Sequence, residues 1–554
     1  MSLALKPVRT VRVLEPRTKI NSERAYAILK GGSQVTWRPI TSTSYSTSSM
    51  QFTAPPPAPE VIVDRKVWIR WFMTITFTGT SASGPLLQIG TNDGPRSYPI
   101  SQSVANLSIT LNDTQVAINM NDVIGTLLRY ENPIEQRNLD FSGTPAQQDQ
   151  FLQYSDWATL GSARNPLALY GENSAEESRG GFSGLSVTSN PSGGGTLTAV
   201  VQLVATEPIF LSPFLFGKEQ EAGFIGLQTM DYNFSLGNLS RVWSHSSLGN
   251  PFSNAPVVTF SQAPQLLFTY ITPNTTQPIP EYAIYPYFVV NRYPTDFGNL
   301  APQASATINS ANIQLQSIPN RMYVFARMRN SDQTYLTTDT FAEINSVSIN
   351  WNNSAGLLSS ATQNDLYNIS AKNGVQMSFS QWSQYCGSVL AIDFGTDIGL
   401  SPIECPGLLG TYQLQMSVNI TNQNTVASSA TIYYTLYIIT VSEGTFTLTQ
   451  NRAVAQVGVV SREDVLDSQS SPMVDFNMIR NVEKGGSFFS SIRSFISKYL
   501  PHAKEAYKVG KEIYDIAKPA YDKYSSSKVL APSEAGGRRR RPRGRGLDLS
   551  ELRR

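Results

Sequence analysis

Hydrophobic and polar residues alternate in short runs along most of this chain. The clearest run places Val67, Ile69, Trp71, Met73, Ile75 and Phe77 on one face and Arg70, Thr74, Thr76 and Thr78 on the other. A period of two sends successive side chains to opposite sides of a strand, so this segment is a half-buried β-strand, ended by Gly79. Similar runs follow at 104–111, 115–118 and 196–206, and again at 228–236, 257–271, 283–291, 305–315, 321–328, 344–351, 388–394, 411–420 and 430–449. Pro, Gly and Asn punctuate them, and helical periodicity is nearly absent before Gln450. The pattern predicts an all-β chain of antiparallel sandwiches or jelly rolls. A polar, Gly-rich excursion over about 131–195 is too long for a hairpin loop and is expected as surface insertions at one end of a sandwich.

The runs repeat. Leu107-Ser108-Ile109-Thr110-Leu111-Asn112-Asp113, followed by Asn121-Asp122-Val123, matches Val347-Ser348-Ile349-Asn350-Trp351-Asn352-Asn353, followed by Asn364-Asp365-Leu366. The offsets are 347 − 107 = 240 and 364 − 121 = 243, so the later copy carries three extra residues between landmarks. A second pair sets Ala199–Glu207 opposite Thr435–Glu443, an offset of 236, with Phe210 and Phe446 each three residues after the Glu. Alternating strands look alike, but landmarks in the same order at similar offset predict a tandem of two β units. The expected organisation is a basic, Ser/Thr/Pro-rich arm over 1–59, a first roll over 60–218 and a second over 219–450. An irregular strap over 451–484, an amphipathic helical segment over 485–530 and an Arg-rich tail over 531–554 complete it.

Charge is low, at 15% of residues, which suits β-sheet with neutral polar loops and surfaces destined to be covered by neighbours. The net charge of +2 hides an asymmetry: residues 484–554 carry 17 Lys+Arg against 7 Asp+Glu, leaving 26 against 34 for residues 1–483. The body is mildly acidic and the tail strongly basic. Residues 1–30 are also basic and show no period, so they read as an extended arm. In the tail, Phe488, Ile492, Phe495, Ile496 and Tyr499 share one helical face with Leu500, a surface for docking on a partner or lying in a membrane interface. Arg538, Arg539, Arg540, Arg541, Arg543 and Arg545 would contact phosphates by counterion release, or serve as an import signal, or merely solvate the terminus.

Little points to catalysis. His245 and His502 are the only histidines, and neither lies in a nucleophile or metal motif, so His245 is expected as an interface histidine. Gly193-Gly194-Gly195 follows no strand and opens no helix, which makes it a loop rather than a phosphate cradle. Cys386 and Cys405 are the only cysteines, with no metal-ligand spacing; inert thiols and a reducing birthplace follow. The sequon asparagines Asn106, Asn112 and Asn419 fall in strands or turns and read as chance. No cofactor, metal or enzymatic role is expected.

Two passages carry a resemblance. Ile209-Phe210-Leu211-Ser212-Pro213-Phe214-Leu215-Phe216-Gly217, then Gly223–Gln228, then Phe234–Trp243, resembles the junction between rolls in double jelly-roll major capsid proteins of polinton-like viruses and virophages, the lineage that includes the adenovirus hexon. Tyr98-Pro99-Ile100-Ser101-Gln102 through Asp122-Val123 is similar to their first roll. The likeness covers roughly 60–450. It implies a virion protein forming homotrimers with six wedges about a threefold axis, which tile an icosahedral shell around DNA beside penton and minor capsid proteins. Synthesis in host cytoplasm, with nuclear import as an option, goes with it. Ala535-Gly536-Gly537 followed by Arg538 resembles sites cut by adenovirus-type cysteine proteases, implying maturation cleavage after Gly537. Two rivals stand beside this reading: a penton or spike protein of the same virus, and a carbohydrate-binding or carbohydrate-active sandwich.

Overall fold

A computed structural model of the chain describes residues 10–14, 23–27 and 34–458, the last stretch with breaks at 83, 90–91, 131–183, 215–222, 246–250, 273–281, 386, 402–403, 424–430 and 450–451. Its N-terminal segments β1 (Thr10–Leu14) and β2 (Glu23–Ala27) pair antiparallel, so part of the expected extended arm is a hairpin.

The first roll runs through β3 (Gln34–Thr41), β4 (Ser44–Tyr45), β5 (Ser49–Ala54), β6 (Ile62–Val63), β7 (Trp68–Thr80) and β8 (Asp93–Pro95). After α1 (Pro99–Ser103) come β9 (Val104–Leu111), β10 (Thr114–Ile118) and α2 (Met120–Arg129). It closes with β11 (Leu185–Ser189), β12 (Thr196–Pro208), β13 (Met230–Leu236), β14 (Trp243–His245), β15 (Val257–Phe260) and β16 (Gln265–Thr272). The second roll contains β17 (Tyr282–Leu300), β18 (Ser305–Asn309), β19 (Ile313–Ser317), β20 (Arg321–Met328), β21 (Glu343–Trp351) and β22 (Ser354–Leu357). Then follow α3 (Gln363–Lys372), β23 (Leu390–Asp393), β24 (Leu409–Thr421), β25 (Ile432–Thr449) and β26 (Arg452–Val457).

Each roll is a sandwich of two antiparallel sheets. In the first, one sheet has the order β11-β12-β7-β16-β3 and the other β10-β9-β13-β5-β4. In the second the orders are β23-β20-β25-β17 and β22-β21-β24-β18, with β19 also on β24. Laid over one another, the lists match strand for strand apart from small additions. The chain is therefore a duplicated jelly roll. Alternation in sequence becomes alternation in burial: Ile69, Trp71, Met73, Ile75 and Phe77 of β7 are each at most 2% exposed. Tyr232 of β13 meets Phe268 of β16 edge-on at 5.9 Å, joining the two sheets of the first roll. In the second roll Ile349 and Met416 from one sheet share a core with Val324 and Ile438 from the other.

The first sequence landmark marks equivalent structure. Asn112 and Asn352 both turn the chain with left-handed backbone, at φ 53° and 49°. Asparagine tolerates that region better than other residues with a Cβ. Each then clips the neighbouring strand in the same way. Asn112 N donates to Thr229 O (3.0 Å) and its Oδ1 accepts from Gln228 N (2.7 Å). Asn352 N donates to Gln413 O (2.9 Å) and its Oδ1 accepts from Gln413 N (2.8 Å). A short strand and a helix opening on Asn-Asp follow in both copies.

The second landmark is a false match. β12, which holds Ala199–Glu207, pairs with β7 and β11, and its counterpart in the second roll is β23. β25, which holds Thr435–Glu443, pairs with β17 and β20 and corresponds to β16. That error put the boundary in the wrong place. β13 and β16, beyond residue 218, pair with β5, β9, β3 and β7, so the first roll extends to Thr272. The arm was drawn too long as well, since β3 to β5 belong to the first roll's sheets. The strap begins as a regular strand, because β26 pairs along β25. The end of the 131–195 excursion is likewise structured: β11 pairs with β12, and Gly193-Gly194-Gly195 form the loop between them.

Candidate assembly interface at the seam between the rolls

The seam is built around α2. Its opening Asn121-Asp122 is delivered by the β9–β10 hairpin, and Val123 and Ile124 anchor the helix in the core at 1% exposure each. That leaves Asp122 facing the second roll. Arg327, on β20 and fully buried, donates from Nη1 to Asn121 O (2.9 Å) and from Nη2 to Asp122 Oδ1 (2.7 Å). Nη2 also reaches Asn330 Oδ1 (2.7 Å), Asn330 Nδ2 donates to Asp122 Oδ1 (2.7 Å), and the guanidinium lies 5.1 Å above the Tyr437 ring. Arg292 on β17 completes the pairing with Asp122.

A second carboxylate gathers arginines from both rolls. Asp339 Oδ1 accepts from Arg96 Nη2 (3.1 Å) and Arg241 Nη2 (2.7 Å) of the first roll, with Arg327 Nη1 at 3.9 Å. Burial alone would raise the Asp339 pKa, but Arg96, Arg241, Arg327 and Arg129 together hold it below the usual carboxylate value. Arg129, at the end of α2, donates to Gly387 O (2.7 Å) and stacks 3.9 Å from the Phe341 ring centroid. Tyr130 donates to Val389 O (2.6 Å) beside it. Guanidinium suits this place because it forks to several acceptors while its flat face packs on aromatics.

Neutral contacts extend the seam. Ser212 Oγ accepts from Phe288 N (3.0 Å), the Tyr285 hydroxyl donates to Gly223 O (2.7 Å), and Phe224 meets Tyr285 at 5.3 Å. The described residues Ser212, Gly223 and Phe224 of the 209–228 passage therefore lie between β12 and β13 within the first roll in sequence, yet join the rolls in space. Tyr98–Gln102 is equally structural: Glu207 accepts from Ile100 N, Ser101 N and the Ser101 hydroxyl at 2.6–2.8 Å, fixing α1. His245 does sit at the seam, buried, with Nδ1 at 2.8 Å from Asp93 Oδ1 and its backbone N–H on Tyr335 O (3.0 Å).

None of the seam's arginines was singled out from the sequence. One signal existed: Arg327 ends the inward-packed run Met322–Ala326, where a charge must find a buried partner. Of the site residues that were expected, Phe488, Ile492, Phe495, Ile496, Tyr499, Gly537, Arg538–Arg541, Arg543 and Arg545 lie outside the described residues, as does Cys386. Cys405 is free and half-buried, and burial pushes its thiol pKa up. Among the described residues no group of His, Cys, Asp and Glu could hold a metal, and no helix is long and apolar enough to cross a membrane.

The seam locks the two rolls into one unit, and comparison with known proteins says what kind of unit that is. The family model described as the Sputnik virophage major capsid protein 1st domain matches residues 7–271. The one described as the major capsid protein V20 C-terminal domain matches 290–444. A putative capsid protein V20 of Sputnik virophage is 34% identical over 533 residues, 90% of this chain and 88% of that protein. The chain belongs to the virophage major capsid proteins. It is a structural component of the virion capsid, not an enzyme. The Sputnik virophage structure from cryo-EM matches it with a TM-score of 0.75 at 33% identity, over 87% of this chain and 100% of that one. The mavirus major capsid protein shares the fold, with a TM-score of 0.67 at 14% identity over 84% and 99% of the two chains. The first family model stops one residue short of the end of β16, in agreement with the sheets and against a boundary at 218.

Proposed function

We propose that this capsid protein forms homotrimeric capsomers in which six jelly rolls make a pseudo-hexagonal tile of an icosahedral shell around DNA. The observation that carries this reading is the duplication itself. Two rolls of matching core strand order, locked by a buried ionic seam, give one polypeptide two quasi-equivalent wedges with different edges. Closed rotational assembly is the common outcome for such chains. Sizing purified protein and imaging it tests the proposal: trimers and shells are expected, and a stable monomer at micromolar concentration counts against it.

Neighbouring capsomers, penton and minor capsid proteins are the partners this assembly requires. The basic ends face inward, where packaged DNA is the available polyanion, and Arg538–Arg541, Arg543 and Arg545 contact its phosphates. Replacing Arg538–Arg541 with Ser then lowers the salt slope of DNA binding by the isolated tail, whereas an unchanged slope favours a nuclear-import signal after synthesis in host cytoplasm. The segment around Phe488, Ile492, Phe495, Ile496 and Tyr499 docks on a partner, with a membrane interface as the other surface it suits. A viral cysteine protease cuts after Gly537, releasing eight arginines. Mass spectrometry of mature particles is expected to find a C-terminus at Gly537, and recovery of Arg554 would overturn the cleavage.

A further inference from the structure

The core strands of the two rolls are equivalent, but the edge strands β3 and β17 meet different surroundings. β17, at the edge of the second roll's sheet, is covered in part by the first roll, around Tyr285–Phe288 and at Arg292. Its Phe288 N–H is taken by Ser212, its Tyr285 is 2% exposed against Phe224, and its Arg292 pairs with Asp122. β3 holds the same position in the first roll, pairing with β16 as β17 pairs with β25. Yet every residue of β3 except Ile40 is exposed, with Val35 at 55% and Trp37 at 61%. An eight-residue edge strand bearing an uncovered Trp is a template for another chain, and only Pro39 interrupts its donors.

The surface that meets β17 also has an exposed twin. α2 opens on Asn121-Asp122, which faces β17 and β20; α3 opens on Asn364-Asp365, and both of those residues are exposed. Charge matches in the same sense. Within the chain Arg292 on the edge strand meets Asp122 on the helix, while Arg38 on β3 and Asp365 on α3 stand exposed with opposite signs. Among the described residues the contact is thus used once internally, while its two halves stand exposed, one on each roll. A contact between unlike surfaces repeats head to tail and closes when the rotation allows.

We propose that the β3 edge of one copy receives the second roll of another copy, around the α3 N-terminus at Asp365, repeating between chains the contact the first roll makes on β17. This rests on the capsomer reading above and assigns the surfaces that build it. Trp37 and Val35 supply the apolar centre, and Arg38 with Asp365 sets the pairing.

Sedimentation of the full-length chain tests the assignment, with thermal unfolding recorded in parallel because Asp365 also caps α3. Trp37→Lys, Arg38→Asp and Asp365→Arg should each weaken self-association about tenfold or more while the protein still melts cooperatively, as expected for truncated or reversed interface contacts. The combined Arg38→Asp and Asp365→Arg chain should regain most of the loss. A chain carrying Arg38→Cys and Asp365→Cys should form an oxidation-dependent interchain ladder that the parent chain lacks. Variants that associate like wild type, or cross-links from β3 only to residues 1–33 of the same chain, would overturn the assignment and leave the capsomer reading standing. A wild-type chain that neither associates nor forms particles would remove both.

Discussion

Asp122 and Asp365 occupy the same place in two copies of one structural unit and have opposite lives. Each stands at the third position of a helix that follows an Asn-turned hairpin, and each is followed by a buried apolar residue, Val123 or Leu366. Asp122 is 1% exposed and paired with arginines of the other roll. Asp365 is exposed and serves its own helix, accepting from Thr362 N (2.9 Å) in a capping box. The backbone is common property of the duplication, whereas the partner of the carboxylate is decided by what lies opposite. Duplication conserves the scaffold and frees the charge.

The sharpest way to break this contrast is to remove its central cation. Arg327→Ala takes away the buried partner of Asp122, leaving it Asn330 and the partly exposed Arg292, and should cost up to about 3 kcal/mol, the low end of the penalty for breaking a buried pair. Denaturant unfolding measures it, and a loss under 1 kcal/mol would show that the seam is not ionic in effect. Asp365→Ala, the same deletion in the other copy, removes one arm of the α3 capping box and should cost only about 1 kcal/mol in the isolated chain.

Acidity separates the regions next. The Asp339 pKa is held low in the fold, so its contribution is complete above the ordinary value near 3.8 and is lost as pH falls through the lower folded value. Asp339→Asn should flatten the acid limb of the unfolding midpoint. Glu443, on β25 away from that cluster, behaves in reverse: burial, opposed by Arg321 and reinforced by Asp393, raises its pKa to about 7. Its contribution is complete below the usual value of 4.5 and is lost as pH rises through about 7. Glu443→Gln should therefore raise the unfolding midpoint at pH 8 more than at pH 5, and equal shifts would contradict the assignment.

The turns offer the gentlest test. Asn112→Ala and Asn352→Ala each lose a clip to the neighbouring strand and put Cβ strain on a left-handed residue, for about 2 kcal/mol apiece. Asn→Gly at either site should restore the backbone share only. Markedly unequal losses would mean that the hairpins are less alike than their hydrogen bonds.

Most of the fold was legible because strand periodicity is written locally: nearly every alternating run from 67 to 449 is a strand or part of one. The first landmark was sound because Asn112 and Asn352 carry a backbone requirement as well as a pattern. The second failed because Ala199–Glu207 and Thr435–Glu443 share only alternation, which any inner strand of a sandwich supplies. The seam was illegible for another reason. Arg96, Arg241, Arg327 and Asp339 are brought together by the fold, and apart from the apolar run that leads into Arg327 nothing local tells these buried guanidiniums from solvated ones.

The length of β17 has a mechanical meaning. It runs beside β25 from Tyr282 opposite Thr449 to Leu300 opposite Ile432, with one bulge at Asp296/Gly298. A pull on Tyr282 directed along the strand loads this ribbon lengthwise. Loaded so, the rungs bear tension together rather than one after another, as they would if the ribbon were peeled from an end. Tugging on one roll should therefore unravel the short rungs of β8 and β14 well before β17 slides, making the ribbon the tendon of the molecule.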